Sequence, residues 1–133
     1  MKYLCTIILL LASLSFGCEL LGPSGDVDFY PDRDEYTKGE TIVMKIVNNS
    51  DSPISFGPCH QPESLIDDGW LTGRDRALQT CKANEIRLDI RESYEFQETS
   101  RVFFPADAHR FVLNIVSSGS NHTIASESFR VIQ

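Results

Sequence analysis

The sequence predicts an all-β domain built as a sandwich of two packed antiparallel sheets. Three observations carry that expectation. Apolar residues recur with period two over nearly all of the chain beyond residue 25, no segment sustains a helical stripe, and turn-forming clusters separate the apolar runs at short intervals. About seven short strands in roughly a hundred residues, joined by such turns, are what two facing sheets require.

The strands read off in order. Val27 and Phe29 alternate with Asp26 and Asp28. Ile42, Met44 and Ile46 share one face of the next run, with Val43, Lys45 and Val47 on the other. Ile54 and Phe56 alternate in PISFG, and Ile86, Leu88 and Ile90 alternate with Arg87 and Asp89, the cleanest half-buried pattern in the chain. Tyr94 and Phe96 follow, then Val102 and Phe104; Phe111, Leu113 and Ile115 form another inward set, and Phe129 with Val131 marks the last strand. Turns are expected at Thr37–Glu40, Asn48–Pro53, Pro105–Ala108 and Ser117–Asn121, where Gly39 can take positive φ and Asn49 can bond its own backbone. A short helix is admissible around Pro62–Asp67.

The first eighteen residues, MKYLCTIILLLASLSFGC, have a different character. Lys2 opens them, Ile7 to Leu11 is an unbroken apolar run, and small or weakly polar residues lead to Cys18. This is the layout of a secretory signal, too short for a transmembrane helix. The terminal Cys makes it resemble a bacterial lipoprotein signal, which implies acylation of Cys18. The alternatives are an ordinary signal cut nearby or an uncleaved anchor. Residues 1–17 are thus expected as signal, 18–25 as lipidated Cys and Gly/Pro-containing tether, and 26–133 as the domain. The implied location is the cell envelope, membrane-anchored through lipid at Cys18. Glu19 in place of Asp leans towards the outer membrane where one exists.

Composition narrows the partners. The 133-residue chain has a formal net charge of −7, and the one charged residue of the signal is the positive Lys2. An acidic domain without a basic run does not hold nucleic acid by counterion release. Of four cysteines, Cys5 leaves with the signal and Cys18 takes lipid, so Cys59 and Cys81 are expected as a disulfide in an oxidising compartment. Closing that loop is worth about 3 kcal/mol in the chain-entropy model.

No catalytic motif stands out. His60, His109 and His122 occupy separate loop or strand-edge settings, and GxSxG, HExxH and a P-loop are absent, so neither enzyme activity nor a metal or cofactor is expected. Asp26, Asp28, Asp32, Asp34 and Glu35 resemble a hard-cation ligand set only in composition; Pro31 interrupts them, and an exposed first strand explains the same letters. Function is most plausibly placed in Gly57–Asn84, a long segment holding the single tryptophan. There Trp70, Arg74 and Arg76 are candidate partner contacts, and the competing and simpler role for Trp70 is a lid over one end of the core.

DEYTKGETIVMKIVNNSDSPISF resembles the opening of an immunoglobulin-like domain common in small bacterial lipoproteins: a Tyr before a Lys-Gly-Glu turn, a strand, then Asn-x-Ser and a second strand. SESFRV resembles the closing strand of that group, and Cys59, Trp70 and Cys81 match its Cys, Trp, Cys order. The group's Pro-Gly-x-Tyr-Arg entry to the penultimate strand is replaced here by Pro105-Ala106-Asp107-Ala108-His109-Arg110-Phe111. The resemblance implies a non-catalytic immunoglobulin-like domain that binds or scaffolds an envelope protein or glycan. The alternative is a proteinase inhibitor. SLIDDGWLTG is similar to the Ile-x-Asp-x-x-Gly-x-x-Val-Trp stretch of BsuPI-type inhibitors, with a different Gly-to-Trp spacing.

Overall fold

A computed structural model describes residues 26–73 and 84–133. Eleven strands run through them: β1 (Val27–Pro31), β2 (Glu35–Thr37), β3 (Thr41–Asn48), β4 (Ile54–Phe56), β5 (Gln61–Ile66), β6 (Gly69–Thr72), β7 (Ile86–Leu88), β8 (Ser93–Thr99), β9 (His109–Ser117), β10 (Ser120–Ala125) and β11 (Arg130–Ile132). The fold is an immunoglobulin-like β-sandwich. One sheet is β1-β3-β8; the other centres on β9, flanked by β10 on one side and by β4 and β5 on the other. That arrangement sets A-B-E against G-F-C in the immunoglobulin order.

The expected seven strands are present as seven lines in space, several of them broken. The first line splits into β1 and β2, and β2 leaves its sheet to pair in parallel with β11, itself the continuation of β10. β4 and β5 lie successively along β9, where Phe56 faces Ile115 and Gln61 faces Val112. Residues 57–60 therefore bulge out of a line in which only two residues, Leu113 and Asn114, oppose them. β6 and β7 flank β5 and β4 respectively on the far side.

Period-two burial fills the core as the alternation predicts. Ile42, Met44, Ile46, Phe111 and Ile115 are fully buried, and Val27, Phe29, Ile54, Phe56, Leu88, Leu113 and Phe129 nearly so. Phe111 makes ring contacts with His60, Phe96, Phe103 and Phe129 at centroid distances of 5.2 to 5.9 Å. Tyr36 lies edge-on to Phe129 and donates its hydroxyl proton to Asp32 Oδ1, while accepting the Arg33 N–H. Burial, reinforced by the Asp32 carboxylate, pushes the Tyr36 phenol well above its ordinary pKa.

Four expectations are corrected. Ile90 is exposed rather than internal, because β7 ends at Leu88 and the chain turns through Arg91 at φ 67°. Asn48 enforces that turn. Its buried amide donates to the carbonyls of Ser52, Leu88 and Asp89, its Oδ1 accepts from Ser50, and its backbone carbonyl accepts the Arg91 N–H. The role expected of Asn49 thus belongs to Asn48, while the Asn49 amide reaches Asp28. Ser100–Val102 is a 3-10 turn, not strand, and Phe103 rather than Phe104 packs against the core. Pro62–Asp67 forms most of β5 instead of a helix, since Pro62 and Ser64 face inward with period two.

Leu88→Ala should cost about 2–5 kcal/mol, the usual range for emptying a buried leucine site. Ile90→Ala, only two residues away, should stay within about 0.5 kcal/mol of wild type. Denaturant unfolding of both variants checks the placement of the turn.

Candidate functional site

The residues with unusual surroundings fall into three places. The first is the outer face of the larger sheet. Along β9 the odd-numbered residues from His109 to Ser117 face inward, which leaves Arg110, Val112, Asn114 and Val116 outside. In β5 the outward set is Gln61, Glu63 and Leu65, and cross-strand pairing of Leu65 with Trp70 puts the indole on the same face. The Arg110 guanidinium lies 4.1 Å from the Trp70 ring centroid, and its Nε donates to Glu63 Oε2 at 2.8 Å. Trp70 is half-buried and lies outside the core cluster. Strand register thus sets the indole on the outer face of the sheet, over Arg110. Arg74, Arg76 and Cys81 lie outside the described residues, as does Cys18.

The β5–β6 hairpin that carries Trp70 closes with a two-residue turn. Asp67 and Asp68 both adopt positive φ, at 50° and 30°, and Ile66 pairs with Gly69. This left-handed pair without glycine makes a tight tip, and both carboxylates are exposed.

The second place is the bulge between β4 and β5. Cys59 there is one end of a disulfide. Beside it His60 turns inward, stacks on Phe96 at 3.9 Å between centroids, and brings Nε2 within 3.2 Å of Glu98 Oε2 on β8. Both side chains are only 9 % exposed, so this contact ties one sheet to the other across the interior.

The third is a buried pair that no local motif announces. Ser64 Oγ and His109 Nδ1 are 3.1 Å apart, although 45 residues separate them in sequence. The inward period of β5 and β9 is the only signal that foreshadows the meeting. Ser64 Oγ also accepts the Phe104 N–H, and the His109 side chain is hydrogen-bonded to the Ala106 backbone. Ser64 is fully buried and His109 is 1 % exposed. A serine sealed in this way, already holding a backbone N–H, is arranged to brace the Phe104–Ala106 loop rather than to attack a substrate.

His122 lies on β10, away from both other histidines in the fold. Among the described residues, no group of three or more His, Cys, Asp or Glu side chains is close enough to hold a metal ion. The N-terminal acids have other engagements: Asp28 accepts from Asn49, Asp32 from Tyr36, and Glu35 from Arg130.

No family model and no curated protein matches the chain. Among solved structures, the chain is similar to the sporulation control protein Spo0M of Bacillus subtilis, at 13 % identity and a TM-score of 0.43 over 81 % of this chain and 49 % of that one. It is also similar to a β-glucosidase from Listeria innocua, at 16 % identity and a TM-score of 0.39, over 80 % and 16 % of the two chains. A third similarity is to the alkylpurine DNA glycosylase AlkC of Pseudomonas fluorescens, at 9 % identity and a TM-score of 0.36, over 81 % and 31 %. The chain spans about half the length of the sporulation control protein and less of the other two.

Burial lowers the pKa of His109 from 6.5, and the Ala106 hydrogen bond and the Asp107 charge only partly offset that effect. The unfolded chain therefore binds more protons than the folded one below pH 6.5. His109 contributes its stability in full above that pH and loses it as the pH falls towards the depressed value. Urea unfolding from pH 7.5 down to 5 should show stability declining in this window. His109→Gln should flatten that part of the profile.

Proposed function

We propose that this protein is a non-catalytic, lipid-anchored envelope protein whose immunoglobulin-like domain binds an envelope protein or glycan through the outer face of its larger sheet. The supporting observation is the position of Trp70. A half-exposed indole on an open sheet face, stacked on Arg110 and held by the Arg110–Glu63 pair, is the kind of anchor that dominates interfaces. Leu65, the cross-strand partner of Trp70, is 36 % exposed and adds apolar surface beside it. The sheet behind these residues is rigid, so little ordering entropy opposes docking.

Attachment rests on the N-terminal sequence. Cys18 closes an apolar, signal-like segment, and acylation there would hold the domain at a membrane surface with its sheet face free to meet a neighbour. The Cys59–Cys81 disulfide belongs to the same reading, because export provides the oxidising environment. The inhibitor alternative is less well supported. Such a protein presents an extended loop to a protease cleft, and the Asp67–Asp68 tip is a two-residue turn with no extended stretch.

Trp70→Ala should leave the fold intact, with a stability loss of about 1–2 kcal/mol from the cation–π contact and partial burial. In cells, a benzophenone side chain in place of Leu65 should give a cross-linked envelope adduct that Trp70→Ala removes. The same group in place of Lys45, on the opposite sheet, should give none. Equal adducts from both sheets, or a sharp melting loss in Trp70→Ala, would overturn the assignment of this face. Cys18→Ser should abolish palmitate labelling; persistence of the label would overturn the anchor.

A further inference from the structure

A second surface, distinct from the Trp70–Arg110 stack, lies at one end of the sandwich. The β2–β3 turn, the 3-10 turn Ser100–Val102, the loop after it, the end of β5 and the end of β11 enclose a cleft of about 1030 Å³. That is the upper end of the range for small-molecule sites. Val102, Phe103 and Phe104 are half-buried in its wall, and Ile132 is exposed there at 44 %.

Two cations stand at this cleft, whose lining is mixed polar and apolar. Lys38 and Arg101 both line it, and neither forms an ion pair among the described residues. Lys38 reaches only the Gln133 side chain, at 3.4 Å. The acid adjoining the turn, Glu40, is already engaged with the Thr37 N–H and Arg33. The acid in the lining is Asp107, which also forms no ion pair among the described residues.

The turns that carry the two cations are braced against each other. Ser100 Oγ accepts the Gly39 N–H and donates to the Thr37 carbonyl, and the Ser100 N–H donates to the Glu40 carbonyl. The Arg101 guanidinium lies over Gly39, whose φ of 93° is the left-handed conformation that favours glycine in this turn. In a chain of net charge −7, two cations against one acid leave this cleft with a positive balance beside the exposed Ile132.

We propose that the cleft binds an amphiphile with one anionic head group and an apolar chain, the head on Lys38 and Arg101 and the chain along Phe103, Phe104 and Ile132. A free long-chain carboxylate and an anionic phospholipid, with its phosphate as the head, share this chemistry. The inference stands independently of the partner assigned to the outer sheet face.

The test uses the full protein in phospholipid nanodiscs with a diazirine-labelled long-chain carboxylate, its uncharged alcohol, or diazirine-labelled phosphatidylglycerol in the disc. After illumination, the carboxylate should label peptides containing Phe103–Phe104 and Ile132, and the alcohol should label them far less. Lys38→Gln with Arg101→Gln should cut carboxylate labelling by at least about tenfold, since each of the two charge-assisted contacts removed is worth about that much. Lys38→Arg with Arg101→Lys should restore it, which separates lost charge from a disturbed fold. Labelling by phosphatidylglycerol alone would support the same site with the bilayer as its source. Labelling spread over the whole chain, or equal labelling by carboxylate and alcohol that the double variant leaves unchanged, would overturn the proposal.

Discussion

The aromatic cluster around Phe111 is the constraint on which the rest of this domain depends. Phe111 sits at the middle of the interior on β9, touching Phe96 from the opposite sheet, Phe103 from the loop before β9, Phe129 from the approach to β11, and His60 from the bulge. Each ring belongs to a different segment, so the tilted and edge-on contacts hold five separate stretches of chain in one arrangement. Small domains bury a limited fraction of their surface, and concentrating aromatic area at one point is an effective way to gain cohesion. Breaks elsewhere in the strands are tolerable because this point is held.

The bulge at 57–60 serves the same cluster. Its two added residues opposite Leu113 and Asn114 keep the phase of β4 and β5, so His60 faces inward with Phe56 and Pro62 and stacks on Phe96, with Cys59 beside it. A buried imidazole must then be satisfied, and Glu98 from the other sheet meets it at 3.2 Å. The pair costs desolvation on both sides, so its contribution is better read as fixing how the sheets face each other than as net stability. Ser64, His109 and Asn48 follow the same logic at other points of the interior, each buried polar group holding a turn or loop that strand pairing leaves unsupported.

How much of this was legible in the sequence depends on range. Alternation is a local property, and it located Ile42, Met44, Ile46, Leu88, Phe111, Leu113 and Ile115 correctly inside. It failed at Ile90, where a carbonyl-binding side chain 42 residues earlier stops the strand after Leu88. It failed again at Phe103 and Phe104, because a 3-10 turn shifts the phase by one residue. The Ser64–His109 contact and the bulge depend on the pairing of β5 with β9, which no window of sequence contains. For Trp70 the residues leave two roles open, partner contact and lid, and only the pairing with Leu65 sets the face on which the indole stands.

The positions where local reading failed are also where the surface chemistry lies. A strand consistent with its neighbours at every position buries one face, solvates the other, and offers a partner little that is distinctive. Departures from that regularity create the unusual surfaces. The added β5–β6 hairpin widens the sheet and brings an indole over Arg110. The 3-10 turn that breaks the approach to β9 lifts Arg101 onto Gly39 and opens the cleft lined by Phe103 and Phe104. Both departures lean on the same core, one through the pairing of β5 with β9 and the other through the packing of Phe103 on Phe111. The cluster that holds the sandwich together therefore also positions both of these outward-facing surfaces.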